Sequence, residues 1–324
     1  MALPHPDTDW NYMLPEALDC FRRMIQAISR YATVVLLTPF PEDAAALTSD
    51  LDNVIVRQVP TNDTWTRDYG PITVAFHDGS FKCLDFTFNG WGMKFAACRD
   101  NRVNRRLDGE SFYSQPLELH KDFVLEGGSI DSDGRGHLLV TSECLLEPNR
   151  NPMFSKQEIE SRLSQWFGLR KVLWLDHGYL AGDDTDSHID TLARFAPNHT
   201  IVCVGCDDAH DEHYQQLQLM HQQLLSLTDA DGEPFTIVTL PMADPIYDDD
   251  GVTRLPATYA NFLALNNVVV MPTYGSPAKD SLAASLLERL YGCPVVKVDC
   301  RALVKQHGSL HCSTMQIPLS ALNL

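Results

Sequence analysis

The sequence alternates amphipathic helical segments with short β-branched runs, and the alternation repeats along the whole chain. In the clearest copy, a capping box of Ser155 and Glu158 begins a helix, Gly168 ends it, and a strand-like run follows at 172–175. Five such helix-then-strand units are predicted, with helices near 18–28, 94–107, 155–167, 208–227 and 277–291. Further strand-like segments lie between them, at 54–59, 72–76, 84–88, 137–141, 200–204 and 266–271. This pattern predicts an α/β fold, and the lack of a Pro/Gly/Ser-rich linker favours one domain over residues 1–324.

The charge balance limits the partners of the chain. Lys and Arg number 25 against 43 Asp and Glu, a net charge of −18. Nucleic-acid binding draws its affinity from clustered basic side chains, so no nucleic-acid partner is expected, whereas small cations are attracted. No apolar run approaches the roughly 18 residues of a membrane span, and the first residues show no basic-then-apolar signal segment. We therefore expect a cytoplasmic protein without a membrane partner.

The cysteines and the Asp-rich loop give weak support to a metal or redox site. The nine cysteines are scattered, which favours free thiols. Cys203 and Cys206 have no second CxxC pair, so we predict two strand cysteines on opposite faces. The loop 182–190 offers hard oxygen ligands, but it lacks the Gly and the terminal Glu of a calcium loop. No metal or organic cofactor is predicted, and a metal-dependent hydrolase is the remote alternative.

Three segments, 61–71, 125–128 and 182–190, place polar residues next to predicted strands, the position where α/β folds put reactive groups. A fourth polar segment, 308–314, lies near the C-terminus and includes a glycine-containing turn. In an extended conformation His188 and Asp190 project to one face. With Asp68 and Glu126 nearby they would form an acidic site suited to a flat, multiply donating cation, above all a guanidinium.

Simpler roles remain open for each of these residues taken alone. A single carboxylate often serves as a turn or cap residue, and a single His is often a surface or core residue. Cys312 is preceded by a His and followed by two hydroxyl residues, an environment in which the His and local N–H groups could hold a thiolate. Spacing alone does not single it out among nine cysteines.

Five segments in the same order resemble the agmatine deiminase and Porphyromonas-type peptidylarginine deiminase family of guanidino-group-modifying enzymes. They are WTRDYGP (65–71), LEGGSIDSDGRG (125–136), CLLEPNRNP (144–152), GDDTDSHIDTLARF (182–195) and LHC (310–312). The resemblance covers the chain from about residue 10 to the end. It implies a five-bladed α/β propeller, or pentein, of ββαβ-type units around a central pocket.

The resemblance also implies a role for each matched residue. Cys312 becomes the nucleophile and His188 the general acid and base. Asp68 and Asp190 become the carboxylates that bind the guanidinium, and Glu126 orients His188. Such chemistry proceeds through a covalent thiouronium intermediate and requires no cofactor.

The substrate is less constrained than the reaction. The family's run before the nucleophile is similar to GGGNIHC, whereas this chain has HGSLHC at 307–312, and its N-terminal segment is shorter. The side chains of His307 and Ser309 are therefore expected to reshape the pocket mouth. Trp91 resembles a family element that lines the pocket along the alkyl chain, although a packed aromatic beside a turn is an equal alternative.

Agmatine, converted to N-carbamoylputrescine and ammonia on the route to putrescine, is the first choice of substrate. Free or peptidyl arginine is the alternative, and for free arginine Arg67 would have to pair with the α-carboxylate. A non-catalytic guanidine-binding protein is disfavoured because every catalytic position is filled. Family members are often dimers, so the resemblance also suggests a homodimer.

Overall fold

Fourteen strands and eleven short or medium helices build the protein in a computed structural model that describes residues 1–324. The strands are β1 (Val34–Thr38), β2 (Val54–Gln58), β3 (Ile72–Ala75), β4 (Phe81–Thr87), β5 (Glu118–Val124), β6 (Ile130–Ser132), β7 (His137–Thr141), β8 (Lys171–Leu175), β9 (Ala193–Ala196), β10 (Thr200–Val204), β11 (Thr236–Leu240), β12 (Leu263–Leu265), β13 (Val268–Thr273) and β14 (Val295–Asp299). They form five separate small sheets.

The helices connect the strands. They are α1 (Leu14–Ile28), α2 (Pro41–Leu47), α3 (Thr66–Tyr69), α4 (Gly90–Met93), α5 (Val103–Gly109), α6 (Ser142–Leu145), α7 (Lys156–Phe167), α8 (Ile189–Leu192), α9 (Tyr214–Ser226), α10 (Pro277–Tyr291) and α11 (Arg301–Val304). Four 3₁₀ turns lie at Asp9–Met13, Asp100–Arg102, Gly127–Ser129 and Leu319–Ala321. None of these helices combines the length and the apolar character needed to cross a membrane.

Four of the five sheets repeat one pattern of strand pairing. The sheets β3-β4-β5, β6-β7-β8, β9-β10-β11 and β12-β13-β14 each join an antiparallel pair to a third strand that is parallel to the middle one. A parallel pair requires a crossover connection, and α5, α7, α9 and α10 supply it. The first sheet contains only the parallel pair β1-β2, with α2 between its strands. The predicted α/β class is confirmed.

The predicted helix boundaries agree best with the structure where the sequence contains capping residues. Ser155 and Glu158 form the capping box of α7, and Gly168 ends it in a left-handed conformation. The helix predicted over 208–227 begins only at Tyr214, because the side chains of Asp208 and Asp211 accept hydrogen bonds from backbone N–H groups two residues ahead. Such local bonds compete with a helical start.

Two other predictions required correction. The helix predicted over 94–107 is reduced to a 3₁₀ turn, Asp100–Arg102, followed by the two turns of α5. Cys203 lies in β10, but Cys206 lies beyond the end of that strand, so the two cysteines do not occupy opposite faces of one strand.

The chain divides into two compact units. The first comprises residues 1–127, 149–151 and 312–324 and contains β1 to β5. Its core includes Trp10, whose ring contacts Phe21 and Trp65 at centroid distances of 6.3 and 5.7 Å. The second comprises residues 128–148 and 152–311 and contains β6 to β14. Its core is made by strand residues such as Leu139, Leu173 and Ile201, which are almost fully buried.

Candidate active site

In the first unit, three chain segments that carry predicted site residues meet at α3. The backbone N–H of Arg67 donates to the carbonyl of Cys312 at 3.0 Å, and the Thr66 hydroxyl donates to the carbonyl of Ser313 at 3.0 Å. Gly127 lies so close to the Arg67 carbonyl that a Cβ there would be 2.2 Å from its oxygen. Only glycine fits this approach. The segments bearing Asp68, Glu126 and Cys312 are thus held side by side.

Asp68 is held by Trp91. The indole Nε1–H of Trp91 donates to Oδ2 of Asp68 at 2.9 Å, and both side chains are buried. Trp91 adopts a left-handed backbone conformation, with φ of 55°, between two glycines that also have positive φ. Phe88 and Phe95 contact its ring edge to face, at centroid distances of 5.0 and 5.5 Å. The structure therefore packs the ring beside a turn and directs its single donor to the carboxylate.

Glu126 forms a fully buried ion pair with Arg150. The guanidinium Nε of Arg150 lies 2.9 Å from Oε2 and 3.1 Å from Oε1 of Glu126, and neither side chain is exposed. The side-chain amide of Asn151 accepts from the backbone N–H of Val124 at 3.0 Å and donates to its carbonyl at 2.8 Å. These bonds bring Arg150 to Glu126. Arg150 was not among the predicted site residues, although it lies in the family-like segment CLLEPNRNP.

Cys312 is almost buried, with an exposed fraction of 7%. Two other buried thiols are in surroundings that oppose the thiolate. Burial raises the pKa of the Cys203 thiol to about 12 and also raises the pKa of Cys206. These two cysteines are therefore poor nucleophiles, in agreement with a structural role.

In the second unit, His188 ends a loop that is held by its own hydrogen bonds. Asp183 accepts from the Thr185 hydroxyl at 2.6 Å and from the backbone N–H of Ser187 at 2.7 Å. The Thr185 hydroxyl oxygen accepts in turn from the backbone N–H of His188 at 3.2 Å. His188 precedes α8 and Asp190 lies inside it, so the extended conformation considered for this pair is wrong. Both side chains are nevertheless buried.

Asp190 is paired with His311, which was expected to lie beside the Cys312 thiolate. The ring Nδ1 of His311 lies 2.7 Å from Oδ2 of Asp190, and both side chains are buried. His311 was expected to support a thiolate at Cys312. In the structure its ring contacts the carboxylate instead.

The two side chains that depart from the family run are tied into the second unit. Ser309 is buried, and its hydroxyl forms a hydrogen bond of 2.8 Å with the Tyr274 hydroxyl. His307 has a positive φ of 64°, and its Nδ1 lies 2.7 Å from the carbonyl oxygen of Gly182. His307 therefore links the loop before Cys312 to the loop before His188.

Comparison with known proteins shows the family of this chain. The family model of the Porphyromonas-type peptidyl-arginine deiminases matches residues 1–318. The agmatine deiminase of Medicago truncatula is 33% identical over 347 residues, which cover 97% of this chain and 92% of that protein. The chain belongs to the Porphyromonas-type peptidyl-arginine deiminase family.

Solved structures show the same fold. A Cys-to-Ser variant of C. jejuni agmatine deiminase with substrate bound is 40% identical, with a TM-score of 0.89, over 96% of this chain and 90% of that one. A provisionally named peptidyl-arginine deiminase is 44% identical, with a TM-score of 0.94, over 98% of this chain and 94% of that one. The relatives thus carry names that refer to two different guanidine substrates.

Proposed function

We propose that this protein is an agmatine deiminase, which hydrolyses agmatine to N-carbamoylputrescine and ammonia. The observation that carries the proposal is the pair of buried carboxylates, Asp68 and Asp190, each fixed by a side-chain partner, in a chain with a cysteine at the family's nucleophile position. Carboxylates held in this way suit a planar cation that donates several hydrogen bonds. The agmatine deiminases among the relatives and structures named above support the choice of substrate.

The first half of the reaction forms a covalent intermediate. Asp68 and Asp190 accept hydrogen bonds from the guanidinium nitrogens and orient its central carbon. The thiolate of Cys312 attacks that carbon and forms a C–S bond. His188, which Glu126 orients in this proposal, gives a proton to one terminal nitrogen, which leaves as ammonia and produces an S-alkylthiouronium.

The second half releases the product. Neutral His188 takes a proton from water, and the resulting hydroxide attacks the thiouronium carbon. The C–S bond breaks and its electron pair returns to Cys312 as thiolate, while the hydroxyl proton passes to solvent and the alkyl chain leaves with a neutral ureido group. These steps balance with water as the one co-reactant, so the proposal includes no cofactor.

Arginine is the second candidate, because one of the similar structures is provisionally named a peptidyl-arginine deiminase. Arg67 was the residue considered as a partner for the α-carboxylate of free arginine. It is buried, and its guanidinium donates to Gln316 and contacts the sulfur of Met315 at 3.5 Å. A guanidinium engaged in this way favours agmatine, which carries no α-carboxylate, over free arginine.

Several broader expectations belong to the same proposal. A five-bladed propeller is supported by the five sheets and by the strand pairing that four of them share. We further propose a single catalytic domain over residues 1–324, a cytoplasmic location and a homodimer, with a small cationic guanidine as ligand and no nucleic-acid or membrane partner. The net charge of −18 supports the cationic ligand.

A parallel substrate assay tests the proposal. The purified protein is incubated with agmatine, arginine or a blocked peptidyl arginine in the presence of EDTA, and ammonia and ureido product are measured. Turnover of agmatine alone is expected. Turnover of an arginine substrate would contradict the choice of agmatine, and activity lost to EDTA and restored by a divalent metal would favour the metal-dependent alternative.

A further inference from the structure

We infer that His311 and Asn261 are positioning residues that fix the carboxylate of Asp190 for guanidinium binding, an inference that rests on the proposed function. Asp190 lies in α8, a helix of only four residues, so its own element offers one turn of support. The carboxylate is fully buried. Its direction therefore depends on contacts from other segments of the second unit.

The first contact is the His311 ring. An ionised carboxylate can only accept hydrogen bonds, so the 2.7 Å contact between Nδ1 and Oδ2 of Asp190 assigns the proton to Nδ1. A hydrogen bond to a charged acceptor is stronger than a neutral one, and burial at both ends strengthens it further. His311 thus restricts rotation of the carboxylate that binds the substrate.

The second contact is Asn261, which holds the backbone on both sides of this pair. Its Oδ1 accepts from the backbone N–H of His311 at 2.9 Å, and its Nδ2 donates to the backbone carbonyl of Asp190 at 3.4 Å. The backbone carbonyl of Asn261 is a second acceptor for the same N–H, at 3.2 Å. One fully buried amide therefore ties the helix of Asp190 to the segment of His311.

Asn261 is fixed in turn by a buried cation. The guanidinium of Arg194 donates to the carbonyls of both neighbours of Asn261, Ala260 at 3.3 Å and Phe262 at 3.0 Å. Its Nε donates to Asp131 at 2.7 Å, and the guanidinium lies 5.0 Å from the Phe262 ring centroid. The support of Asp190 thus extends from the core of the unit, as expected for a preorganised site.

Two isosteric variants test the role of His311. The amide nitrogen of Asn overlays the position of Nδ1, whereas that of Gln overlays the position of Nε2. His311→Asn keeps the donor to Asp190 and His311→Gln removes it. We expect His311→Gln to lower kcat/KM for agmatine by about 10- to 100-fold, the range for loss of one hydrogen bond to a charged group, mainly through KM. His311→Asn is expected to recover most of that loss.

A second readout separates positioning from general structural damage. Alkylation of Cys312 is measured with 2-chloroacetamidine, a planar cation that resembles the guanidinium, and with neutral iodoacetamide. His311→Gln should lower the preference for the cationic reagent by about tenfold, because only that reagent uses the carboxylate. An equal loss with both reagents, or an unchanged preference, would overturn the inference.

The chain offers a matched control. His213 is equally buried, and its Nδ1 lies 2.6 Å from Asp211, in an ion-pair cluster with Arg254. His213→Gln and His213→Asn should leave the reagent preference at its wild-type value, and melting temperatures report folding in all four variants. Wild-type protein that neither hydrolyses agmatine nor prefers the cationic reagent would refute the proposed function itself. A normal wild type with insensitive His311 variants would refute only the positioning role.

Discussion

Removal of Arg150 tests the buried ion pair with Glu126. Arg150→Met keeps most of the side-chain volume but leaves the Glu126 carboxylate without the guanidinium that lies 2.9 and 3.1 Å from its oxygens. Both side chains have an exposed fraction of 0%, so water cannot replace the missing partner. Breaking a buried pair on one side costs about 3 to 5 kcal/mol in the free energy of unfolding.

The free-energy cost can be expressed as a fall in melting temperature by using the unfolding entropy expected for a chain of this length. With about 2.1 cal/mol/K of unfolding entropy per residue, 324 residues have about 0.7 kcal/mol/K, so the melting temperature should fall by about 4 to 7 °C. Calorimetry at neutral pH measures the fall. The deficit should shrink in acid, because protonation of the carboxyl removes the buried charge.

A double-mutant cycle isolates the pair from other effects. Glu126→Gln together with Arg150→Met buries no bare charge, so the double variant should be more stable than the sum of the two single losses predicts. Arg170→Met, which breaks an exposed pair with Asp231, is the control and should melt close to wild type. An Arg150→Met variant as stable as wild type, or strictly additive losses, would refute the argument.

Three further outcomes are expected. At pH 8 iodoacetamide should label native Cys98, which is exposed, before Cys203, whose pKa burial raises to about 12; peptide mapping showing the reverse order would contradict this. Gly90→Ala places a Cβ 2.2 Å from a backbone oxygen, whereas Gly79→Ala has open space at a similar φ. The melting temperature of Gly90→Ala should therefore be well below that of Gly79→Ala, and equal melting temperatures would contradict the clash. Burial raises the pKa of Asp100 to about 8, above its value in the unfolded chain, so the native state loses stability as pH rises from about 4 to 8. Asp100→Asn should therefore make the melting temperature depend less steeply on pH over this range. An unchanged pH dependence would contradict this.

Local sequence signals predicted much of the fold. The capping box at Ser155 and the glycine after α7 are chemical features of a few neighbouring residues, and the structure confirms them. The strand predicted at 137–141 is confirmed, and its centre is the apolar run Leu138, Leu139 and Val140. Where side chains bond their own backbone, as Asp208 and Asp211 do, periodicity extended a helix beyond its true start.

The partners of the candidate site residues could not be predicted from local sequence patterns. Trp91 meets Asp68 across 23 residues, Arg150 meets Glu126 across 24, and His311 meets Asp190 across 121. Such contacts depend on strand pairing and chain reversal, which no local pattern encodes. Sequence motifs therefore predicted residues for chemistry, whereas the structure shows the residues that hold them.

The most direct test of the account is the state of Cys312 during turnover. Wild-type protein is mixed with agmatine and quenched in acid over a time course, and the peptide containing Cys312 is weighed by mass spectrometry. The covalent mechanism predicts an added mass equal to agmatine less one ammonia, which appears and decays within a turnover, and no hydrolysis by Cys312→Ala. An unmodified Cys312 throughout turnover, together with agmatine hydrolysis by Cys312→Ala, would contradict it.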